Sequence, residues 1–382
     1  MDRREWMGSV LGMSVAAGLA EAAPTKSSAK EITADGRYPV VPLERESIRI
    51  GLVQTRFRSI DPDNVERSRK ENLVYMLDWI DRAQQGSRHD VLMFHELPLT
   101  GLSMTWNRAT ILKGCIEIPG VETEAIAQKA RQHRCYVIFG AYVVDRDWPG
   151  HFVSATTMIG PDGRIVDSQW KARNIMGALG GIELMTTTIF NVLDRYVEMY
   201  GWDRVLPVAR TPIGNIALSS VQLEPELFRA FGMKGAEIVL RTATGRYRMA
   251  DMQGAPLHNG FWSAVVNNAY LPDDPQGLRR YWADGDWRKP TADSTNVLTT
   301  AFDARGNIVA QASDPTEQVV SFTIPIAAHR TTARQPVVHA ELYRRSFDAY
   351  VGRYPPGAFL RRQPSTVEEA AAMIKAGERW RP

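Results

Sequence analysis

Cysteine is scarce in this sequence, with only Cys115 and Cys135 among 382 residues. That count excludes a disulfide-stapled scaffold, and no CxxC pair or Cys/His cluster has the spacing of a zinc site. The seven histidines are dispersed, so nothing in the sequence supports a metal site. A G-x-G-x-x-G turn after a strand is also missing, which argues against a dinucleotide-binding dehydrogenase.

An excess of charge of one sign is lacking as well. The formal net charge is +3, and no run of arginine or lysine is longer than a pair. The sequence therefore gives no support to a nucleic-acid partner. With 44% hydrophobic and 23% charged residues, the chain has the composition of an ordinary globular protein. Its length permits one large domain or two small ones.

The N-terminus has the three parts of a secretory signal. Arg3-Arg4 precedes an apolar run over residues 6–20, and small residues follow around Ala22. The run is too short to cross a membrane, and the paired arginines favour the twin-arginine type of signal. We expect residues 1–23 to be this signal and the mature protein, which then has no membrane span, to be periplasmic or secreted. The alternative is a frayed N-terminal helix on a cytoplasmic protein.

The rest of the chain divides into three parts. Residues 24–46 are rich in Ser, Lys and Ala at their start and are interpreted as a linker. Residues 47–345 carry the regular patterns and are predicted to form the main domain. Residues 346–382 form a C-terminal extension, in which Ser365 and Glu368 predict a capping box before an Ala-rich helix.

Strand and helix patterns alternate along the main domain. Residues 47–55 predict a strand, and residues 61–86 repeat apolar positions at helical spacing before Gly86. The segments "DVLMFHELPLTG" and "CYVIFGAYVVD" are continuous apolar runs typical of strands buried on both faces. These patterns predict an α/β protein with a mixed sheet. The segment "GFWSAVVNNAYLP" fits either a helix or a strand.

Three positions at predicted strand ends are candidates for chemistry. Glu96 follows a buried apolar run. A carboxylate at such a position either pairs with a cation or a backbone amide, or has a functional role. Lys171 follows a hairpin, and Ser219 and Ser220 end the strand "IALSS". Each position has a structural alternative: a paired carboxylate, a solvated lysine and two serines that begin a turn.

Taken together, these stretches resemble the nitrilase superfamily of carbon–nitrogen hydrolases, and most closely its amidase branch. "VLMFHELPLTG" is similar to the family's glutamate motif, and "DGRIVDSQWKAR" to its lysine motif. "PIGNIALSSVQLEPELFRAFGMKGAEIVL" is similar to its nucleophile motif, and "STNVLTTAFDARGNIVAQA" to a late hairpin. The resemblance covers about residues 48–330.

The resemblance implies a four-layer αββα sandwich that pairs into a homodimer or higher homo-oligomer through a helical face. It also implies a Glu–Lys–Cys triad that attacks a small amide or nitrile without a metal or other cofactor. Glu96 matches the general base and Lys171 the oxyanion donor. Ser219 occupies the position of the nucleophilic cysteine, and Val221 replaces an acid two residues later.

Further residues enter through the same resemblance. Ser220 and Val221 flank the nucleophile position and are candidates for the substrate pocket. Glu183 is a candidate for a second glutamate found in some amidases, within a segment over residues 174–205 that we expect to cover the pocket mouth. Asn267-Asn268 matches a Glu-Asn pair of a helix after the nucleophile strand.

The serine makes the expected activity low. A serine hydroxyl is a weak nucleophile unless a strong base activates it, and serine nucleophiles normally rely on His or Lys rather than Glu. We therefore expect an amidase-like scaffold that acts weakly on a small amide, or only binds it. The alternatives are an active hydrolase using Ser219 or a water activated by Glu96, and a non-catalytic scaffold protein.

Overall fold

Two β-sheets packed face to face form the centre of the molecule. A computed structural model describes residues 35–56, 58, 60–101, 106–174, 184–245, 247–269 and 298–380. The first sheet has the strand order β13-β1-β2-β4-β5-β6, with β3 beside β4. Its strands are β1 (Ile48–Gln54), β2 (Val91–Phe94), β3 (Ile116–Glu117), β4 (Tyr136–Val144), β5 (Val153–Ile159), β6 (Ile165–Trp170) and β13 (Gln318–Ile324).

The second sheet has the order β12-β11-β10-β9-β8-β7. Its strands are β7 (Ala209–Thr211), β8 (Gly214–Ser219), β9 (Ile238–Thr242), β10 (Trp262–Val266), β11 (Thr300–Phe302) and β12 (Ile308–Gln311). Parallel pairing joins β1 to β2 and β2 to β4 in the first sheet, and β8 to β9 and β9 to β10 in the second. Strand β10 lies within "GFWSAVVNNAYLP", the segment whose pattern fitted either a helix or a strand.

Helices lie on the outer faces of the two sheets and in the segments that follow the sandwich. They are α1 (Val65–Gly86), α2 (Arg108–Gly114), α3 (Val121–His133), α4 (Leu193–Tyr200), α5 (Pro225–Met233), α6 (Met249–Asn259), α7 (Ile326–Thr332), α8 (Ala340–Ala349) and α9 (Val367–Ala376). Short 3-10 helices span Phe190–Val192 and Trp202–Arg204. Helix α1 matches its prediction from apolar spacing and a stop at Gly86.

The alternation of side chains along the strands explains the layers. In β2, Val91 and Met93 belong to the core between the two sheets, whereas Leu92 and Phe94 pack with Met76 and other residues of α1 and α3. In β8 and β9, the residues between the inward-facing positions pack against α5. Since the central strands β2 and β4 are buried on both faces, they are apolar throughout. The four-layer αββα sandwich is confirmed.

Segments outside the sandwich are attached to it by specific contacts. Before β1, the carbonyl of Val41 accepts a hydrogen bond from Arg330, whose guanidinium pairs with the buried Glu237. In the C-terminal extension, Phe359 is fully buried and its N–H donates to the carbonyl of Asn191. No helix in the described part of the chain is both long and apolar enough to span a membrane.

Two local expectations need correction. The cap of α9 is Thr366, whose hydroxyl accepts from the N–H of Glu369 at 3.2 Å, so the capping pair lies one residue after Ser365 and Glu368. Asn267-Asn268 does not lie in a helix, because it follows strand β10. Both asparagines lie at the end of a strand of the second sheet, not on a turn of a helix.

Candidate active site

The candidate residues follow the ends of three strands. Glu96 lies two residues after β2, Lys171 directly follows β6, and Ser219 is the last residue of β8. Strand β6 runs in the same direction as β2, because two antiparallel steps through β5 separate it from β4. Glu96 and Lys171 therefore reach the same end of the first sheet, and β8 packs against β5 and β6 from the second.

Glu96 and Lys171 form a buried ion pair. The distance from Lys171 Nζ to Glu96 Oε1 is 3.0 Å, and the side chains are only 5% and 8% exposed. Ser154 in β5 supports both residues: its hydroxyl donates to Glu96 Oε1 at 3.3 Å, and its carbonyl accepts from the N–H of Lys171 at 2.8 Å. An ion pair removed from water needs such additional hydrogen bonds to offset desolvation. The structure thus joins two of the sequence-predicted residues.

The backbone around Glu96 is fixed by a glycine on the neighbouring strand. The N–H of Gly140 in β4 donates to the carbonyl of His95 at 3.2 Å. A Cβ atom at position 140 would lie 2.1 Å from the carbonyl oxygen of Glu96, so only glycine permits this approach. His95 itself is fully buried, and burial lowers the pKa of its imidazole to about 3. It is therefore neutral beside Glu96 at ordinary pH.

The loop after β6 holds Lys171 from its other side. The carbonyl of Lys171 accepts from the N–H of Ile189 at 3.2 Å, and the carbonyl of Ala172 accepts from Phe190 at 2.9 Å. These bonds connect Lys171 to the described end of the segment expected over the pocket mouth. Glu183 lies outside the described residues.

Ser219 is buried at the end of β8, but its hydroxyl does not join the ion pair. Its Oγ accepts a hydrogen bond from the N–H of Val221 at 3.1 Å. Within the described ranges, no hydrogen bond connects this hydroxyl to Glu96 or Lys171. The side chain of Val221 packs with Phe228 and its neighbours behind the strand, and Ser220 is half-buried. The roles of Ser219, Ser220 and Val221 stay predictions.

Sequence reasoning missed two arginines beside the loop that follows Ser219, residues 220–224. Arg241 in β9 is the register partner of Ser219 and is almost fully buried. Its guanidinium pairs with Asp251 at 2.8 Å, and burial lowers its pKa although Asp251 opposes that shift. Arg173, two residues after Lys171, pairs with Glu224. A lone arginine within the apolar run "EIVLRTA" was the available signal for Arg241, because a buried cation requires a partner.

Asn267 was assigned to the wrong element but lies close to the site. Its Oδ1 accepts from the N–H of Gly245 at 3.0 Å, and its Nδ2 donates to the carbonyl of the same residue at 2.6 Å. The loop held in this way follows β9 and includes Ala243, whose carbonyl faces the N–H of Glu96 at 3.5 Å. Asn267 thus fixes a loop that borders Glu96.

The two cysteines are buried away from these residues. Burial raises the pKa of the Cys135 thiol to about 11 and raises that of Cys115 further. Neither thiol forms a reactive thiolate near neutral pH. Among the described residues, no group of three or more His, Cys, Asp or Glu side chains is arranged to hold a metal ion.

Comparison with known proteins gives a family and a fold. A profile of the carbon-nitrogen hydrolase family matches residues 49–334. A search of curated protein sequences gives no significant match. Similar solved structures include a cysteine-to-alanine mutant of the Nesterenkonia AN1 amidase from the nitrilase superfamily, with a TM-score of 0.53 and 16% identity over 80% of this chain and 99% of that one.

Two further structures show the same fold. A carbon-nitrogen hydrolase from Helicobacter pylori G27 has a TM-score of 0.55 and 14% identity, over 79% of this chain and 94% of that one. The Nesterenkonia amidase mutant in complex with butyramide has a TM-score of 0.52 and 16% identity, over 78% and 96% of the two chains. With the profile spanning most of the sequence, the chain belongs to the carbon–nitrogen hydrolase family.

Proposed function

We propose that this protein keeps the amide-binding scaffold of its family but hydrolyses its ligand weakly or not at all. Serine at position 219 stands where the family's nucleophilic cysteine is expected. The ligand is a small uncharged amide, as suggested by the butyramide bound to the Nesterenkonia amidase. Glu96 and Lys171 form the polar floor of the site that receives it.

The observation that carries the proposal is the hydrogen bonding of Ser219. Its hydroxyl accepts from Val221 N–H, whereas Glu96, the expected base, is paired with Lys171 and Ser154. Among the described residues, no hydrogen bond connects the serine hydroxyl to Glu96, the base that the family resemblance assigns. The pKa of a serine hydroxyl lies far above that of a carboxyl group. Each unit of this difference corresponds to about 1.4 kcal/mol, so a difference of several units slows acylation by orders of magnitude.

The family's chemistry suggests how a thiol would act at this position. A thiolate at position 219 would attack the amide carbon after its proton passed to Glu96, and the amide nitrogen would leave as ammonia. Lys171 would donate to the oxyanion that forms on the carbonyl oxygen. Water would then hydrolyse the thioester. We expect Ser219→Cys to raise turnover of small amides for this reason.

A single set of assays distinguishes this proposal from the two alternatives, an active hydrolase and a non-catalytic scaffold protein. Ammonia release from butyramide and binding of butyramide by calorimetry are measured for wild type and for Ser219→Ala, Ser219→Cys and Glu96→Gln. Our proposal requires butyramide binding, little ammonia release by wild type and increased release by Ser219→Cys.

The remaining outcomes identify the alternatives. Robust release that Ser219→Ala abolishes indicates an active serine hydrolase. Release that survives Ser219→Ala but is lost in Glu96→Gln indicates a water activated by Glu96. Absence of binding, with no gain in Ser219→Cys, indicates a scaffold protein and contradicts the proposal.

We also propose that two copies pair through the outer face of α5 and α6. A groove of about 930 Å³ lies between these helices and α8. Helix α8 has no buried residue, and it exposes Leu342 and Phe347. Ten residues of helix are marginally stable without a packing partner. The groove is lined by both acidic and basic residues, so two copies related by a two-fold axis can place opposite charges against each other.

The pairing is tested by light scattering coupled to size exclusion. Phe347→Asp places a charge on the exposed face of α8 and is expected to convert a dimer to a monomer. Val121→Asp is the matched control, since Val121 is 80% exposed and does not line the groove. A monomeric wild type, or a dimer unaffected by Phe347→Asp, would contradict this interface.

A further inference from the structure

The loop that follows Ser219 is held by guanidinium groups on two sides. Over residues 221–224, each residue offers an oxygen to an arginine: three backbone carbonyls and one carboxylate. Since arginine presents its donors in a rigid planar fork, it can fix several acceptors at once. The two arginines come from the loop after β6 and from β9, so they reach this loop from different parts of the fold.

Arg173 holds the far half of the loop. Its Nη2 donates to the carbonyls of Gln222 at 2.8 Å and Leu223 at 2.9 Å, and its Nε pairs with the Glu224 carboxylate. Arg173 is separated from Lys171 by one residue. The lysine of the ion pair and the loop after Ser219 are therefore linked through a short stretch of backbone and one side chain.

Arg241 holds the near half from behind the sheet. Its Nη2 donates to the carbonyl of Val221 at 2.9 Å, and its guanidinium lies over the Phe228 ring at 4.1 Å from the centroid. Asp251 provides its counter-charge. Val221 is also the residue whose N–H donates to Ser219 Oγ, so Arg241 holds the peptide group that follows Val221, next to the one that contacts the candidate nucleophile.

The backbone of this loop does not adopt its conformation freely. Leu223 has a φ of 58°, in the left-handed region that non-glycine residues avoid. Such a conformation persists only where surrounding contacts impose it, and it is frequent near functional sites. The carbonyl of Leu223 is one of the two that Arg173 binds, so Arg173 is one contact that holds this conformation.

We propose that Arg173 and Arg241 form a clamp that positions the 220–224 loop and thereby directs the Val221 N–H at the side chain of residue 219. Both are positioning residues, since neither contacts the reacting atoms. The inference rests on the proposed site but not on its activity. Its consequence is that a thiolate at position 219 is stabilised by a fixed backbone donor, which lowers the pKa of the thiol.

The test measures the pH dependence of iodoacetamide alkylation in Ser219→Cys protein, with and without a second substitution. Cys115 and Cys135 are buried and serve as an internal background. Adding Arg173→Gln or Arg173→Lys is expected to raise the midpoint by half a pH unit or more, which slows alkylation about threefold below the midpoint. If a substitution only makes the thiol more accessible to iodoacetamide, the alkylation rate at high pH changes but the midpoint does not. The assay therefore distinguishes a change in access from a change in the pKa of the thiol.

Arg173→Lys distinguishes positioning from charge. Lysine keeps the positive charge but cannot span two carbonyls and a carboxylate. A midpoint for Arg173→Lys equal to that of the Ser219→Cys parent would overturn the clamp in favour of a simple charge effect. An unchanged midpoint in both variants would overturn it outright.

The control is Arg82→Gln, an exposed arginine of α1 that pairs with Asp78; it must leave the midpoint unchanged. Thermal unfolding verifies that each variant is folded, and the partly exposed Arg173 is altered first because Arg241 is fully buried. Alkylation requires no hydrolysis. If Ser219→Cys protein neither binds butyramide nor releases ammonia from it, the proposed amide function fails, yet a midpoint shifted by Arg173→Lys still supports the clamp. If it binds and releases but the midpoint does not shift, the clamp fails and the function stands.

Discussion

Breaking the Glu96–Lys171 pair provides the most informative test of the site's physics. Lys171→Met keeps most of the side-chain volume but leaves the Glu96 carboxylate buried without its cation, although the 3.3 Å hydrogen bond from Ser154 stays. Removing one partner of a buried ion pair costs about 3–5 kcal/mol, because the other charge is left uncompensated. We expect Lys171→Met to lower the free energy of unfolding by this amount.

The double variant Glu96→Gln/Lys171→Met separates the charge from the packing. With both charges gone, the desolvation cost disappears, and the double variant should lie within about 1 kcal/mol of wild type. The resulting coupling energy is about 2 kcal/mol or more, beyond what independent sites show. Urea unfolding at pH 7 measures all members of the cycle, with the denaturant slope held constant.

The Lys129–Asp81 pair is the matched control. Its atoms are as close, at 2.6 Å, but its side chains are 22% and 29% exposed. Lys129→Met should cost under about 1 kcal/mol because exposed pairs contribute little. A loss below 1 kcal/mol for Lys171→Met, or additive effects in the double variant, would refute the view that these two charges are buried and mutually dependent.

Three further predictions concern the rest of the chain. Gly140→Ala should lower the free energy of unfolding by several kcal/mol, because its methyl group overlaps the Glu96 carbonyl, whereas Gly86→Ala meets nothing within 4 Å and should be tolerated; thermal melts compare the two. Burial lowers the pKa of His151 to about 4 from an ordinary 6.5, so its stabilisation is complete above pH 6.5 and is lost as the pH falls toward 4. Unfolding titrations should therefore be less pH-dependent in this window for His151→Asn, and an equal dependence would argue against a buried neutral imidazole. Residues 1–23 should be removed on export, and periplasmic protein that still begins at Met1 would contradict the signal prediction.

Much of the scaffold was predictable because local patterns report burial. The continuous apolar runs at β2 and β4 indicated strands covered on both faces, and helical spacing before Gly86 indicated α1. Motif order and spacing then led from these elements to Glu96, Lys171 and Ser219. A pattern of this kind says which residues are buried but not which distant elements lie together.

The residues that sequence reasoning missed all act through contacts between distant segments. Ser154 supports Glu96 across 58 positions of the chain, and Arg173 reaches Gln222 across 49. Ser154 sits in an unremarkable strand, and Arg173 looks like a surface residue next to Lys171. Asn267 was misplaced because its motif was matched to a helix, although the β-branched residues before it favour the strand that forms.

The central claim is that Ser219 does not act as a nucleophile. Acyl transfer from butyramide to hydroxylamine, followed as hydroxamate, measures this directly because it reports the acyl-enzyme whatever the rate of water attack. We predict no hydroxamate from wild type above the level of Ser219→Ala, and clear formation by Ser219→Cys. Hydroxamate formed by wild type and abolished by Ser219→Ala would contradict the account.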